Sequence, residues 1–274
     1  MSRKRYKVLF ATSWYPSPEK PMQGVFVREH AKAVAIHDDV VVLHLAAPLK
    51  GERTWWRTEE VGDETFTEGI PTFRAWYRRS MRSKRLSIPI YLWSVHMAFK
   101  RIESEVWRPD IIHANIYSAG FPSVVIGNRR RIPVLITEHY SKFPRRALRA
   151  LEVVKPRYAF ARARFALPVS QALQKAITDY GVRAKFRVVP NVVDTSVFFP
   201  PPKGRKHSGR KHLLFVGRLT AAKGFDNLLR AFSDLAPSFG DWRLDVVGEG
   251  PASADYEALA RSLRISDKVF FHGY

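Results

Sequence analysis

Two cations stand where an anion could be held. Gly217-Arg218 closes an apolar run, 212–216, that reads as a strand, and Lys223-Gly224 then opens a helix-length segment. Open α/β sheets bind ligands beyond the carboxyl ends of their strands, and a helix N-terminus carries unpaired N–H groups and partial positive charge. An arginine at such a strand end and a lysine at the next helix start therefore converge on one anion. A glycine pair, Gly248-Glu249-Gly250, follows the next strand-like run at 242–247 and precedes another helix. Its third fingerprint position is Ser253, so the loop suits a ligand crevice better than a dinucleotide fingerprint.

Other chemistries are excluded by what is missing. There is no cysteine, hence no disulfide, thiolate nucleophile, Cys-liganded zinc or iron–sulfur cluster. Nine histidines are scattered without His-Glu-x-x-His spacing, and no Asp-x-Asp occurs, so no metal is expected. A Gly-x-Ser-x-Gly elbow is absent. The segment from Gly204 to Lys211 lacks the Lys-Ser/Thr pair of a P-loop and precedes a strand. The balance of 46 Lys+Arg against 25 Asp+Glu, +21 overall, favours polyanionic partners. No helix-turn-helix, zinc-finger or RNA-binding signature accompanies it, so no specific nucleic acid is expected. Basic runs at 78–85 and 143–187 adjoin amphipathic segments, which suits an anionic lipid surface. The charge-free hydrophobic stretch at 86–99 is shorter than the ~20 residues a bilayer span needs. The N-terminal apolar run, 8–11, is too short for a signal peptide. A cytoplasmic chain is expected.

The elements that must position the cations follow from periodicity. Runs at 6–12, 39–46, 110–114, 132–137, 165–169 and 186–189 read as strands. Segments at 23–36, 86–107, 119–128, 144–163 and 171–180 read as helices, the fourth carrying Leu148, Leu151, Val154 and Tyr158 on one face with a kink at Pro156. This alternation predicts an α/β fold, a doubly wound parallel sheet with helices on both faces. Phe199-Pro-Pro-Pro202 and the basic residues after it form a linker, dividing the chain into domains 1–200 and 201–274. The first carries 34 basic and 17 acidic residues, the second 12 and 8, so the positive field belongs to the first. Past the linker come strands at 212–216, 242–247 and 268–271 and helices at 223–235 and 252–263. A doubly wound half usually holds about six strands. Three leave one sheet edge and its apolar faces uncovered.

The stretches Val188-Val-Pro-Asn191-Val-Val-Asp194, Leu214-Phe-Val-Gly217-Arg218-Leu-Thr-Ala-Ala-Lys223-Gly224 and Leu244-Asp-Val-Val-Gly248-Glu-Gly250-Pro251, with Val269-Phe-Phe-His-Gly273, closely resemble retaining, nucleotide-sugar-dependent glycosyltransferases of family 4. The resemblance implies a GT-B fold of two Rossmann-like domains, the acceptor side first and an incomplete donor side second. It implies Arg218 and Lys223 as the catalytic pair holding the donor's diphosphate, whose bridging oxygen gains charge as the glycosidic bond breaks. Gly217, Gly248 and Gly250 would bind substrate beside them. In the first domain, Trp14-Tyr-Pro-Ser-Pro18 through Gln23-Gly24 resembles the family's glycine loop, with Gln23 in place of a second glycine. Asp110-Ile-Ile-His113 and Pro133-Val-Leu-Ile-Thr137-Glu138-His139 fit as well. His139 matches a histidine near the transferred sugar, and Glu138 stands where less acidic residues are common. Gly24, Glu138 and His139 are thus the substrate-binding candidates of this domain.

The resemblance further implies a nucleotide-diphosphate sugar as donor, no cofactor or metal, and a glycan or lipid-linked acceptor hydroxyl. The setting would be polysaccharide or glycolipid assembly, with peripheral docking on the inner face of the plasma membrane. The family's Glu–seven residues–Glu element has no counterpart before Tyr274, so truncation and inactivity of the 274-residue chain are expected. The rival from another class is a non-catalytic polyanion- or membrane-binding module that retains the fold.

Overall fold

The computed structural model describes residues 3–46, 54–77, 84–200, 211–235, 238 and 242–274, with the side chains of 84–86 left aside. The chain forms two compact units, Met1–Phe198 and Phe199–Tyr274. The linker segment 201–210 and most of the basic run 78–85 lie outside the described residues.

The first unit runs β1 (Lys7–Thr12), α1 (Val25–Ala35), β2 (Asp39–Leu45), β3 (Trp56–Glu60), α2 (Glu64–Thr67), β4 (Thr72–Tyr77), α3 (Lys84–Glu105), β5 (Ile111–Asn115) and α4 (Ile116–Arg130). It continues with β6 (Val134–Glu138), a 3-10 turn at Ala150–Val153, α5 (Val154–Arg162), β7 (Phe165–Pro168) and α6 (Gln171–Asp179). Its strands form one sheet in the order β3-β4-β2-β1-β5-β6-β7, parallel except for the edge strand β3. Apolar residues fill β1 and β2 continuously because both sheet faces are covered. Val8, Phe10, Val40 and Val42 enter a cluster with Val27 and Ala31 of α1. Their neighbours Leu9, Ala11, Val41 and Leu43 enter the larger cluster on the opposite face, with Phe99 of α3 and Val124 of α4. Alternation of period two thus divides one apolar run between two cores. The order reverses between β1 and β5, so the crevice beyond their carboxyl ends is a topological switch point.

The second unit runs β8 (Lys211–Val216), a 3-10 turn at Ala221–Lys223, α7 (Phe225–Leu235), β9 (Trp242–Val247), α8 (Ser253–Ser262) and β10 (Val269–Gly273). Its three strands are parallel in the order β10-β9-β8. Phe225, Leu229 and Phe232 of α7, at helical spacing, pack with Leu244 and Val246 of β9 and with Tyr256 of α8. The other sheet face leaves Leu214 65% and Val216 69% exposed on the edge strand β8.

Three expectations change. Residues 144–149 are not helical: the turn at Ala150–Val153 leads into α5, Leu151 is 89% exposed and Val154 is exposed too. Pro156 therefore lies in the first turn of α5, where its missing N–H removes no intrahelical bond, instead of kinking a longer helix. Residues 186–189 make only an isolated bridge, Ala166↔Phe186, beside β7. The sheet is mixed, since β3 joins it antiparallel to β4.

Candidate functional site

The carboxyl end of β1 is shaped by Thr12, whose Oγ1 donates to the Trp14 carbonyl (2.9 Å) and accepts from the Trp14 N–H (3.0 Å). The returning chain reaches Gly24 with φ 76°, and a Cβ there would lie 2.3 Å from the Trp14 carbonyl oxygen. Only glycine fits this approach at the start of α1. Across the switch point, the Ser13 and Ser118 hydroxyls meet at 3.2 Å.

The next strand end is strained. Ile116, a buried β-branched residue, has φ 60° at the start of α4. Such a conformation costs about 1–3 kcal/mol and persists only where neighbours enforce it. The enforcing group is Glu138. Its carboxylate is fully buried and accepts from the backbone N–H groups of Tyr117 (2.9 Å), His139 (3.0 Å) and Tyr140 (2.8 Å). Burial pushes this carboxyl up to about 7, against the pull of the three amides. Both oxygens of Glu138, a substrate-binding candidate from sequence, are enclosed and bound to backbone.

Glu138 orients the next residue. His139 stacks against Phe26 of α1 (ring centroids 4.5 Å), and Trp14 stands edge-on to Phe26 at 6.2 Å. Neither ring nitrogen of His139 meets a partner at hydrogen-bonding geometry, with the Asn191 side chain the polar group beside them. Burial and the neighbouring His30 bring His139 down to about 4, so the imidazole is neutral. Beneath it, His113 holds Thr137 Oγ1 at 2.7 Å and is lowered to about 3 by burial, then by His30 and His139. His30, which carries no recognisable motif, completes this group at 5.6 Å from His113. Its position on the inward stripe of α1, three residues past Val27, was the only available signal.

In the second unit, a hollow of about 540 Å³ lies beyond the carboxyl ends of the strands, lined by Arg218, Gly248, Gly250, Glu257 and Tyr274 among others. Gly248 and Gly250 are required by close approach: a Cβ on Gly248 would lie 2.2 Å from the Gly217 carbonyl oxygen, and one on Gly250 2.1 Å from that of Leu219. Ser253 replaces the third fingerprint glycine because its hydroxyl closes the loop, donating to the Gly250 carbonyl and accepting from the Gly250 N–H. Gly217 has no such backbone neighbour; a Cβ would touch only the Phe215 ring at 3.4 Å. Arg218 is exposed and lines the hollow, whereas Lys223 is exposed in the 3-10 turn before α7 and outside that lining. Among the described residues no ion pair forms at either. No helix among the described residues is long and apolar enough to cross a membrane, and no described group of three or more His, Cys, Asp or Glu could hold a metal.

Comparison with known proteins agrees with this frame. The Glycosyltransferase Family 4 profile matches residues 23–197, and Glycosyl transferases group 1 matches 199–274. The putative teichuronic acid biosynthesis glycosyltransferase TuaC of Bacillus subtilis is 27% identical over 90% of this chain and 67% of its own length. The alpha-monoglucosyldiacylglycerol synthase of Streptococcus pneumoniae is 26% identical over 61% of this chain and 42% of its own. The chain thus spans about two thirds of one relative and less than half of the other. Among solved structures, Anabaena Alr3699/HepE in complex with UDP and glucose aligns with a TM-score of 0.67 at 19% identity, over 98% of this chain and 70% of that one. Sucrose-phosphate synthase from Thermosynechococcus elongatus aligns with a TM-score of 0.66 at 16% identity, over the same shares. The fold is the α/β, GT-B type of those glycosyltransferases. The chain belongs to Glycosyltransferase Family 4.

Proposed function

We propose that this chain is part of a glycosyltransferase that moves a sugar from a nucleotide diphosphate to an acceptor hydroxyl with retention. The observation that carries the reading is Arg218, an exposed cation lining the hollow at the strand ends of the second unit. Lys223 adds a second cation at the turn into α7. Charge developing on a departing diphosphate is stabilised by such preorganised donors, and two cations with a helix N-terminus supply it without a metal. Gly217, which has no close backbone neighbour, lets that backbone approach a ligand, while Gly248 and Gly250 hold the loop tight beneath it.

In the first unit the acceptor side is the Gly24 loop with His139. A neutral imidazole whose nitrogens have no geometric partner can hydrogen-bond a hydroxyl as donor or acceptor. Glu138 acts as a positioning residue by fixing the backbone of His139. The UDP and glucose in the HepE structure, and the names of the two curated relatives, support a nucleotide sugar as donor and a glycan or lipid-linked acceptor.

A calorimetric panel of UDP-, GDP- and ADP-sugars tests the donor class: saturable binding of one of them is expected, and indifference to all three contradicts the reading. The anomeric configuration of the product, read by NMR, tests retention; an inverted product overturns that part.

A further inference from the structure

A row of cations crosses the amino ends of the first unit's parallel strands, at the opposite end from the switch point. Lys7 opens β1, and Arg108, Arg131 and Arg164 stand within three residues of the starts of β5, β6 and β7. These four strands are consecutive in the sheet. Their starts are level: the Asp110 N–H donates to the Lys7 carbonyl, that of Ile112 to Pro133 and that of Arg164 to Val134. Neighbouring strands lie ~4.8 Å apart, so the four exposed side chains span about 14 Å. Two hollows of about 510 and 460 Å³ follow the row and share Ile132. Lys4 adds a cation to the first, and Arg162 and Lys185 add theirs to the second.

The chain does not neutralise this row. Among the described residues Lys4, Lys7, Arg131, Arg164 and Lys185 form no ion pair, and Arg108 reaches Glu103 only at 3.9 Å. Asp110, the acid lining the first hollow, accepts from the Lys7 N–H at 2.9 Å. Cations at helix C-termini complement the dipole, which accounts for Arg131 at the cap of α4 and Arg162 in the last turn of α5. Lys4, Lys7 and Lys185 end no helix. The described lining holds no aromatic side chain on which bases could stack and no exposed large apolar group to enter a bilayer. A bilayer at this end would also leave His139 facing away from it, at a strand's length, about 17 Å. Two joined concave sites suit a linear polyanion, and a glycan acceptor extended at the other end of the same sheet is the polymer that the transfer reaction supplies.

We propose that the row formed by Lys7, Arg108, Arg131 and Arg164 binds an anionic glycan chain, a part of the acceptor distant from its reacting end. This rests on the glycosyl-transfer reading above. Such a hold raises the effective concentration of the reacting end without entering the chemistry. Polygalacturonate, linear with one carboxylate per sugar, is the probe for calorimetric titration of the whole chain, beside neutral dextran. Saturable binding of the acidic glycan is expected, weakening as salt rises, with dextran refused. Arg131→Gln with Arg164→Gln should weaken it roughly tenfold or more at an unchanged unfolding midpoint, and Arg131→Lys with Arg164→Lys should largely retain it. Arg145→Gln with Lys155→Gln makes the same change in net charge at exposed cations outside both hollows, and should leave affinity near parental. Equal weakening by the two glutamine pairs overturns the proposal, as does dextran bound equally well. Duplex DNA held more tightly than polygalacturonate, or vesicle binding lost with the Arg131 and Arg164 glutamines, assigns the row to another partner and overturns it too. UDP, or the diphosphate that the sugar-donor panel selects, is titrated into the same samples. The diphosphate bound with polygalacturonate refused overturns the glycan row alone; polygalacturonate held with the diphosphate refused supports the row and removes the transfer reading.

Discussion

His113 and His139 are held neutral by burial, and this sets a pH dependence at the residue scale. Burial brings folded His113 down to about 3 and His139 down to about 4, against 6.5 for the ordinary group. Unfolding therefore takes up protons below pH ~6.5, and the folded state weakens as pH falls through that window. Glu138 has the opposite sign: its carboxyl is raised from 4.5 to about 7, so its contribution declines as pH rises between those values. Urea denaturation of His113→Asn should show a gain in stability between pH 5 and 7 smaller than the parental gain by about 2 kcal/mol. An unchanged gain would contradict a neutral His113. At Glu138 the expected loss is structural as well. Glu138→Gln turns an amide N–H toward one of the three backbone donors, which should cost about 1–3 kcal/mol at pH 5. A loss below about 0.5 kcal/mol would show that the clamp does not hold Ile116. Gly24→Ala must place a Cβ 2.3 Å from a carbonyl oxygen at positive φ, with an expected loss of about 2–4 kcal/mol in thermal or urea unfolding. An alanine variant of parental stability would mean that the loop relaxes freely.

At the scale of elements, the exposed edge strand β8 carries its own expectation. Leu214 and Val216 present apolar surface on a strand whose outer edge pairs with no strand among the described residues, the arrangement that favours association between chains. Leu214→Lys should lower concentration-dependent self-association in sedimentation velocity without lowering the unfolding midpoint; unchanged association would clear this edge. The central strands and most helices were legible from sequence because their apolar runs are long and regular. β1 and β2 read as strands since both faces are buried, and α7 as a helix from Phe225, Leu229 and Phe232. β3 and β4 were not legible. WRTEE is mostly polar and becomes a strand by pairing with β4, while β4 itself buries Arg74, paired with Glu19 at 3.8 Å and facing the Trp76 ring at 5.4 Å. No local period announces a buried arginine whose partner lies far away in sequence. The helix read over 144–163 forms only from Val154, and its overlong start has the converse cause: Leu151 and Val154 mimic a stripe that no surface receives. At the site, the glycines and His139 stood out by motif, whereas the tie between Glu138 and the Ile116 turn depends on a backbone conformation that residue types do not encode.

For the whole molecule, the excess of cations lies in the first unit, and Arg145, Arg146 and Arg149 are among its exposed members. Binding of that surface to phosphatidylglycerol vesicles should weaken steeply between low and physiological salt, since exposed charges are screened within ~10 Å. Equal binding to neutral and anionic vesicles would exclude an electrostatic role. In the second unit the proposed donor chemistry rests on two exposed cations acting on one diphosphate. The most direct measurement is calorimetric titration of UDP and uridine, or the nucleotide pair that the sugar-donor panel selects, into the parental chain, Arg218→Ala and Lys223→Ala, with a chelator present throughout. Each variant should bind the diphosphate about 10- to 150-fold more weakly, the cost of a hydrogen bond to a charged group, while holding the nucleoside nearly as before. Arg218→Lys should recover part of the loss, because an ammonium lacks the guanidinium's bidentate grip. Folded alanine variants that keep parental diphosphate affinity, or a diphosphate affinity abolished by the chelator, would contradict the account.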